Sequence, residues 1–409
     1  MFARLSVFSG GWTAGAAEAI CGGSEADSLT LLLLLVEKSL VLAEDWETET
    51  RYRLLETMRQ YAADRLTEHG DGEVWRERHR DYYLAFAERI APELRGPKQA
   101  SGLNQIEAEY GNLREALAWS AGGIAQLQIG CAVHNFWYVR GFWKEGRQWL
   151  EAALSSDFPA DDGLRAQGLI RAGVLAWAEK DYPAANAYYR QCLAIRERLG
   201  DQEGIVVVLS NLGIVAEEEK KNEKAKSFLE QALEVSRQLG LKSRIANALN
   251  SLGGVLNNLS QTEAARTALE ESVALYEEIG EQSGLASALY NLGIVALRQG
   301  RGTEGLTNFC RKLPIERDLK RHQGVFYALQ GIAMALSGQQ RYLEAAQAFG
   351  ALEEYRRVHT ESIRSYETDE DEHHYQETTR AALGEQGYAQ SQASGNKLSL
   401  DNILALCQV

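Results

Sequence analysis

The stretch that decides the fold is LSNLGIVAEEEKKNEKAKSFLEQALEVSRQLG at residues 209–240, because its pattern returns as LNSLGGVLNNLSQTEAARTALEESVALYEEIG at residues 249–280. Small residues and leucines keep this spacing of 40 residues through five units. Self-similarity at a fixed period of about 20 to 50 residues indicates a repeat architecture. The three clearest series are Gly173, Gly213, Gly253, Gly293, Ala333; Ala185, Ala225, Ala265, Gly305, Ala345; and Leu169, Leu209, Leu249, Leu289, Leu329.

Each unit reads as two helices joined by a short turn. Leu209, Leu212 and Val215 follow one another at the spacing of a helical face, and a second apolar series begins at Phe228 after the polar residues 220–223. The small residues Gly213 and Ala225 are expected where the two helices cross, since a larger side chain would push the axes apart.

These features resemble the tetratricopeptide repeat family over residues 165–360. The matching signature is Leu-Gly in the first helix, as at Leu212-Gly213, with a small residue such as Ala225 opening the second helix. The period exceeds the usual length of about 34 residues. The resemblance implies a mainly α fold in which helix pairs stack into a right-handed superhelix. First helices would line a concave groove, and such grooves bind peptides or helices.

The fourth unit departs from the others in its second helix. Lys312 stands where other units have Ala232 and Ser272, and Pro314 follows two residues later. Proline inside a helix removes a backbone hydrogen bond and clashes with the preceding turn, so we expect a kink or break there. The pattern leaves open whether this is a tolerated defect or a functional bend.

Residues 1–68 do not follow the repeat and predict a small winged helix. A helix, a hairpin and a second helix follow one another in this segment. The expected elements are a buried helix at Leu29–Val36, strands at Ser39–Ala43 and Arg51–Leu55 around the acidic loop Glu44–Thr50, and an amphipathic helix at Glu56–Leu66.

The same segment resembles the winged helix that follows the nucleotide-binding domain in bacterial NB-ARC or STAND-type ATPase regulators, including LuxR- and SARP-like proteins. The matching stretches are RLSVF at 4–8, GGW at 10–12, AAEA at 16–19, LVEKSLV at 35–41, RYRLLET at 51–57 and RQYA at 59–62. In that family a P-loop ATPase domain comes first, whereas this chain contains no G-x-x-x-x-G-K-[ST] motif. We therefore predict no nucleotide hydrolysis, and expect an ATPase partner or a missing amino-terminal half. The resemblance leaves open whether the winged helix is complete, and whether the chain is a fragment, a split gene, a remnant of a split ATPase or an independent adaptor.

The charge balance argues against nucleic-acid binding. The chain carries a formal charge of −14, and residues 1–68 contain eleven acidic and six basic residues. Proteins that grip phosphate backbones normally present a basic surface. A DNA-binding regulator acting through the wing is the alternative function.

Residues 69–159 predict a helical connector with a degenerate repeat. Residues 71–95 read as one helix whose aromatic stripe is typical of a core, and a second aromatic group follows near residue 140. That second group either stacks a ligand or seals the junction between wing and repeats. The two groups are Trp75, His79, Tyr82, Tyr83, Phe86 and Phe136, Trp137, Tyr138, Phe142, Trp143, Trp149.

Residues 361–409 predict an acidic linker and a helical cap. The run Asp369–His374 offers possible metal ligands, but adjacent histidines on a helix point apart, which favours a solvated linker. The apolar residues after Leu398 suggest a cap over the last repeat. The domain assignment is thus 1–68, 69–159, five repeats over 160–360, and 361–409.

The candidate site is a peptide-binding groove on the first helices. Asparagine side chains can pair with both the N–H and the C=O of a peptide backbone, although they can equally cap or bridge neighbouring helices. The candidate residues are Ser210, Asn211, Asn250, Ser251, Tyr290 and Asn291.

No catalytic motif, cofactor site or metal site is predicted, and the expected function is a protein- or peptide-binding module without catalysis of its own. The five cysteines are widely spaced, which is typical of buried thiols in a reducing compartment. The apolar run Leu31–Val36 is much shorter than the roughly 20 residues of a membrane span. We therefore expect a cytoplasmic protein.

Overall fold

A computed structural model describes residues 1–22, 28–46, 49–156, 161–360 and 370–406 of the chain. The chain divides into two compact units, Met1–Asp201 and Gln202–Val409. The first unit holds a small sheet, helices and one repeat, and the second holds four repeats and the carboxy-terminal helices.

The first unit begins with a winged helix. Two antiparallel pairings give the strand order β1-β3-β2, with Trp12 opposite Tyr52. The two-residue strand β1 carries too short a pattern to be seen in the sequence, whereas the other two strands were predicted within a few residues. The elements are β1 Trp12–Thr13, α1 Ala14–Cys21, α2 Ser28–Glu37, β2 Leu42–Asp45, β3 Thr50–Arg53 and α3 Glu56–His69.

Helix α2 is less buried than the sequence suggested. Only Leu32 is buried, while Leu33 and Leu34 are 53% and 44% exposed. The expectation of a buried helix over Leu29–Val36 is therefore wrong in its burial. The run is apolar on every face, so its sequence carries no period that would tell which face meets the core.

Five helices form the connector. The aromatic stripe of α4 is core at Trp75, His79 and Tyr83, which are buried, while Tyr82 and Phe86 are half-buried. Helix α4 ends five residues before the predicted limit, and a 3₁₀ turn at Ala91–Leu94 follows it. The five helices are α4 Gly72–Ile90, α5 Gln99–Ala108, α6 Tyr110–Trp119, α7 Ile124–Arg140 and α8 Trp143–Ser155.

The second aromatic group is largely a packing core. Phe136 and Trp137 are completely buried, and the Trp137 indole N–H donates to the Tyr110 hydroxyl at 2.8 Å. A Cβ at Gly146 would lie 2.5 Å from the Trp137 ring, so only glycine fits beneath it. These two rings are therefore closed to a ligand, whereas Phe142 of the same group is 37% exposed.

Two buried histidines predict acid sensitivity of the first unit. Burial lowers the pKa of His79 to about 4, although a hydrogen bond to Asn112 opposes this shift. Burial and the nearby charges of Arg171 and Arg95 lower the pKa of His134 to about 3. Below pH 6.5 these histidines bind protons in the unfolded chain but stay neutral in the folded chain. The free energy of unfolding therefore decreases as the pH falls toward 4.

The histidine at position 79 should account for on the order of 3 kcal/mol of this loss. Urea unfolding of the first unit at pH 7.5 and pH 4 measures it, and the loss should shrink in His79→Gln. The exposed His69→Gln is the matched control. Equal acid sensitivity of wild type and His79→Gln would contradict the prediction.

The five repeats are five helix pairs, as the sequence predicted. The Gly213 position faces Leu229, where an added Cβ would lie 2.7 Å from the leucine side chain, and Gly253 meets Leu269 in the same way. The mainly α fold of tetratricopeptide-like pairs is confirmed. The first unit holds α9 Asp162–Ala178 and α10 Tyr182–Leu199; the second holds α11 Gln202–Glu218, α12 Asn222–Gln238, α13 Lys242–Asn258, α14 Thr262–Ile279, α15 Gln282–Arg298, α16 Gly302–Asp318, α17 His322–Gly338 and α18 Tyr342–Val358.

Helix α16 accommodates both of its unusual residues. It runs as one helix from Gly302 to Asp318 with Pro314 inside it, so the expected break does not occur. The Lys312 ammonium donates to the Ala286 carbonyl at 3.3 Å. In the preceding repeat the Ser272 hydroxyl makes the equivalent bond to Ala246 at 2.8 Å. The lysine thus replaces a local hydroxyl donor while adding a buried charge.

Two further elements follow the repeats: α19 Glu370–Gly395, whose helix is interrupted at Gly384 (φ 68°, ψ 161°), and α20 Leu400–Leu406. Ile403 of α20 is fully buried in one apolar core with residues of α17 and α18. The acidic run predicted as a linker is helical from Glu370 onward and forms the first turn of α19. Within the described residues no group of three or more His, Cys, Asp or Glu is arranged to hold a metal ion.

The cysteines differ in state. Cys21, Cys131 and Cys192 are free and buried, and burial raises the pKa of Cys21 to about 12 and that of Cys131 to about 11. Cys310 is half-buried and is not one of these free thiols. Cys407 lies outside the described residues. None of the described helices is both long and apolar enough to cross a membrane.

Candidate functional site

The predicted groove residues lie together on three first helices of the second unit. Helix α11 carries Ser210 and Asn211, α13 carries Asn250 and Ser251, and α15 carries Tyr290 and Asn291. All six side chains are half-buried. A spacing of 40 residues puts equivalent positions on the same face of successive helices, so these side chains form a ladder across α11, α13 and α15.

Asparagines of neighbouring first helices contact each other. The Asn291 Nδ2 donates to the Asn250 Oδ1 at 3.0 Å. For this pair the structure shows the bridging role that the sequence left open. The bond also fixes both amides, because it leaves the Asn250 N–H groups and the Asn291 carbonyl oxygen as the remaining functional groups. One donor and one acceptor thus stand side by side.

The other ladder residues differ in their contacts. The Ser210 hydroxyl donates to the Val206 carbonyl at 2.9 Å, a bond within its own helix. The Tyr290 ring packs against Tyr327 and Phe309, with ring centroids 5.5 and 5.8 Å away. Tyr290 therefore supports the packing of α15 on its neighbours as well as lining the ladder.

Sequence reasoning missed an acidic residue on the same face. Glu217 follows Ser210 by seven residues, two helical turns further along α11. Its Oε1 accepts a hydrogen bond from the Asn258 Nδ2 at 3.0 Å. Burial raises the pKa of Glu217, and the neighbouring charge of Glu218 adds to the effect. The seven-residue spacing was visible in the sequence, but the predicted groove contained only uncharged amide and hydroxyl side chains.

The winged helix is fixed to the connector by a buried polar network. Glu109 receives hydrogen bonds from Arg51 at 2.5 Å, from Tyr83 at 2.8 Å and from Asn112 at 2.8 Å. Asn112 also donates to the Gly11 carbonyl at 2.7 Å and accepts from the Ser9 N–H at 2.8 Å. These contacts join β3 and the segment just before β1 to α4, to α6 and to Glu109, which immediately precedes α6.

An open cleft of about 1070 Å³ lies beside this network in the first unit. Acidic, basic, aromatic and amide side chains all contribute to its wall, so its lining indicates no single class of ligand. The lining residues are Thr13, Asp45, Trp46, Glu49, Arg51, Tyr82, Phe86, Arg89, Ser101, Asn104, Gln105, Glu107, Ala108 and Glu109.

The surface of the winged helix is poorly suited to DNA. Helix α2, which stands second in the helix-turn-helix order, exposes Leu33 and Leu34 and contains no basic residue. Readout of base edges and phosphates uses arginine, lysine and amide side chains. The wing strand β2 ends in Glu44 and Asp45, which add negative charge.

Two family matches agree with this architecture. Residues 1–67 match the family described as winged helix-turn-helix domain, and residues 164–238, 204–278 and 244–311 match the family described as tetratricopeptide repeat. The chain therefore carries a winged helix domain followed by tetratricopeptide repeats.

Several mycobacterial proteins are similar to part of this chain. Two of these proteins, one from Mycobacterium bovis and one from Mycobacterium tuberculosis, are named "Putative HTH-type transcriptional regulator". Each is 34% identical to this chain over 224 residues. The alignment covers 51% of this chain and 25% of each relative. The chain thus matches only about a quarter of the length of these relatives.

Solved structures show the same fold at low sequence identity. A signal-transduction ATPase with a tetratricopeptide repeat sensor from Pyrococcus horikoshii aligns with a TM-score of 0.53 and 11% identity, over 100% of this chain and 64% of that one. Aspartyl phosphate phosphatase F from Bacillus subtilis aligns with a TM-score of 0.51 and 12% identity, over 84% of each chain. These likenesses concern the fold alone.

Proposed function

We propose that the chain is a peptide- or protein-binding sensor module of a bacterial signalling or transcription regulator, cytoplasmic and without catalysis of its own. The bonded pair Asn250 and Asn291 carries the proposal. Its free donor and acceptor match the carbonyl and the N–H of a peptide backbone. Such pairing captures extended chains with little regard to their side chains.

The names of the similar proteins are consistent with this role. The mycobacterial relatives are named as regulators, and the archaeal neighbour carries its repeats as a sensor of a signal-transduction ATPase. By this reasoning the repeats bind the signalling peptide or protein. An ATPase domain, which belongs to the same chain or to another, responds to that binding. The exposed leucines of α2 favour a protein surface over DNA as the partner of the winged helix.

Removing one amide of the pair tests the groove. Asn291→Ala should weaken binding of an extended peptide about tenfold, because one or two backbone hydrogen bonds of about 1 kcal/mol each are lost. Pools of seven-residue peptides provide the probe, and titration calorimetry with the full chain provides the affinity. Helicity by circular dichroism should be unchanged.

The matched control is Gln231→Ala, an exposed amide on α12 that bonds only within its own helix. It should bind the pools as the wild type does. Equal affinities for Asn291→Ala and wild type would remove the asparagine ladder from the binding site. Failure of every pool to bind the wild type would contradict the peptide-binding function itself.

A further inference from the structure

The first helices differ at one groove position, where a side chain is missing. Gly254 on α13 stands where α11 has Ile214 and α15 has Ile294. A Cβ built at Gly254 would meet only one atom within 4 Å, the Glu217 Oε1 at 3.7 Å. The glycine therefore leaves a notch in the row of isoleucines, and the Glu217 carboxylate forms one wall of this notch.

The carboxylate at this notch has no positive partner in the described part of the chain. Its Oε1 is held by the Asn258 amide at 3.0 Å, a neutral donor. Lys220 acts on Glu217 only as a nearby charge, and Lys221 forms its ion pair with Glu219 at 2.8 Å. A half-buried carboxylate without a cation is electrostatically unfavourable, and a ligand cation would relieve this.

We propose that the notch formed by Gly254 beside Glu217 is a subsite for a lysine or arginine side chain of the bound peptide. This inference rests on the proposed peptide-binding function and names the chemistry of one ligand residue. The open space at Gly254 admits the aliphatic stem, and Glu217 and Asn258 receive the charged head as a carboxylate and an amide.

The position of the basic residue in the peptide follows from the helix geometry. Asn258 lies eight residues beyond Asn250 on α13, a rise of about 12 Å. An extended peptide advances about 3.3 Å per residue. For a peptide that lies along α13, the lysine or arginine would therefore fall three or four residues from the peptide unit that Asn250 and Asn291 hold.

A positional scan tests the subsite with the full chain. The probes are seven-residue peptide pools in which one position is fixed as lysine or as its uncharged isostere norleucine. Wild type should prefer lysine about tenfold at one position, and Glu217→Gln should lose that preference. Glu230→Gln, which makes the same change of charge on the exposed face of α12, should keep it.

A second variant tests the notch without changing charge. Gly254→Ile fills the space as Ile214 and Ile294 do in neighbouring helices, and it should also abolish the lysine preference. The thermal unfolding temperature of this variant should not fall, since glycine is a poorer helix former than isoleucine. A loss of stability would be checked with Gly254→Ala, whose Cβ fits at 3.7 Å.

The outcomes separate the two proposals. Binding that depends on Asn291 but shows no lysine or arginine preference would overturn the subsite and leave the peptide groove standing. A lysine preference that survives Glu217→Gln would also overturn it. No binding of any pool to the wild type would remove the groove, and the subsite with it.

Discussion

Replacing Glu316 with glutamine is expected to lower the free energy of unfolding by about 3 to 5 kcal/mol, the usual cost of removing one partner from a buried ion pair. Glu316 and Lys312 are 1% and 4% exposed, and their charged atoms are 2.6 Å apart. Burial lowers the pKa of Lys312, against the attraction of Glu316 that raises it. Without the carboxylate, the ammonium keeps the Ala286 carbonyl at 3.3 Å and the Tyr290 ring, whose centroid lies 5.5 Å away, and neither partner carries a charge.

The preceding repeat supplies a matched rescue. Ser272 and Tyr276 occupy the equivalent positions there, and the Tyr276 hydroxyl donates to Asn247 at 2.8 Å. Gly324 leaves room beside Glu316 as Gly284 does beside Tyr276, because a Cβ at either glycine would lie 2.1 Å from the neighbouring side chain. The double variant Lys312→Ser, Glu316→Tyr should therefore have a free energy of unfolding within about 1 kcal/mol of the wild-type value.

Urea unfolding followed by amide hydrogen exchange in α16 measures both variants. A loss below about 1 kcal/mol in Glu316→Gln would show that Lys312 sheds its proton or reaches water when its partner is removed. If the double variant is as unstable as Glu316→Gln, the Lys312–Glu316 pair contributes stability that the contacts of Ser272 and Tyr276 in the preceding repeat do not reproduce.

Replacing Glu109 with alanine is expected to detach the small sheet from the connector at a similar cost, about 3 to 5 kcal/mol. Arg51 is 6% exposed, and its guanidinium relies on the Glu109 carboxylate at 2.5 Å. Tyr83 and Asn112 lose the same acceptor. Arg51 would keep the Ala108 carbonyl at 3.1 Å and the half-exposed Glu49 carboxylate at 3.8 Å, so the cost comes from the lost short ion pair and from the desolvation of donors that lose an acceptor.

Hydrogen exchange gives this prediction a local readout. Protection of β1 and β3 should fall in Glu109→Ala, while α13–α18 exchange as in wild type. The control is Glu107→Ala, whose 56% exposed side chain pairs with Arg140 at 2.8 Å. An exposed pair contributes at most about 1 kcal/mol. Unchanged protection of β3 in Glu109→Ala would contradict the assigned role of the network.

The candidate site illustrates how far sequence patterns reach. The ladder of Asn and Ser positions was found from the period, because equivalent residues of equivalent helices must share a face. The bond between Asn250 and Asn291 was not, since a spacing of 41 residues does not say whether two amides meet each other or a ligand. The notch at Gly254 was hidden for a related reason: a glycine in a helix does not reveal what lies beside it.

The winged helix shows the opposite balance. Its order of helix and hairpin and its family resemblance were readable, yet the burial of α2 was predicted wrongly. The residues that hold it in place, Ser9 and Asn112, are 103 positions apart. No local period connects such residues, so their pairing depends on how α4 and α6 pack.

The sequence alone determined the repeats, their helix pairs and the small residues where helices cross. The reason is that the pattern of each unit lies within consecutive residues and recurs five times along the chain. Tertiary structure decided which polar groups are paired and which remain available. Lys312 pairs with Glu316 and Arg51 pairs with Glu109, whereas Glu217 accepts a hydrogen bond from an amide and lies beside an open notch. Periodicity fixes the face on which a side chain lies, but the balance of desolvation and pairing depends on every atom that packs around it.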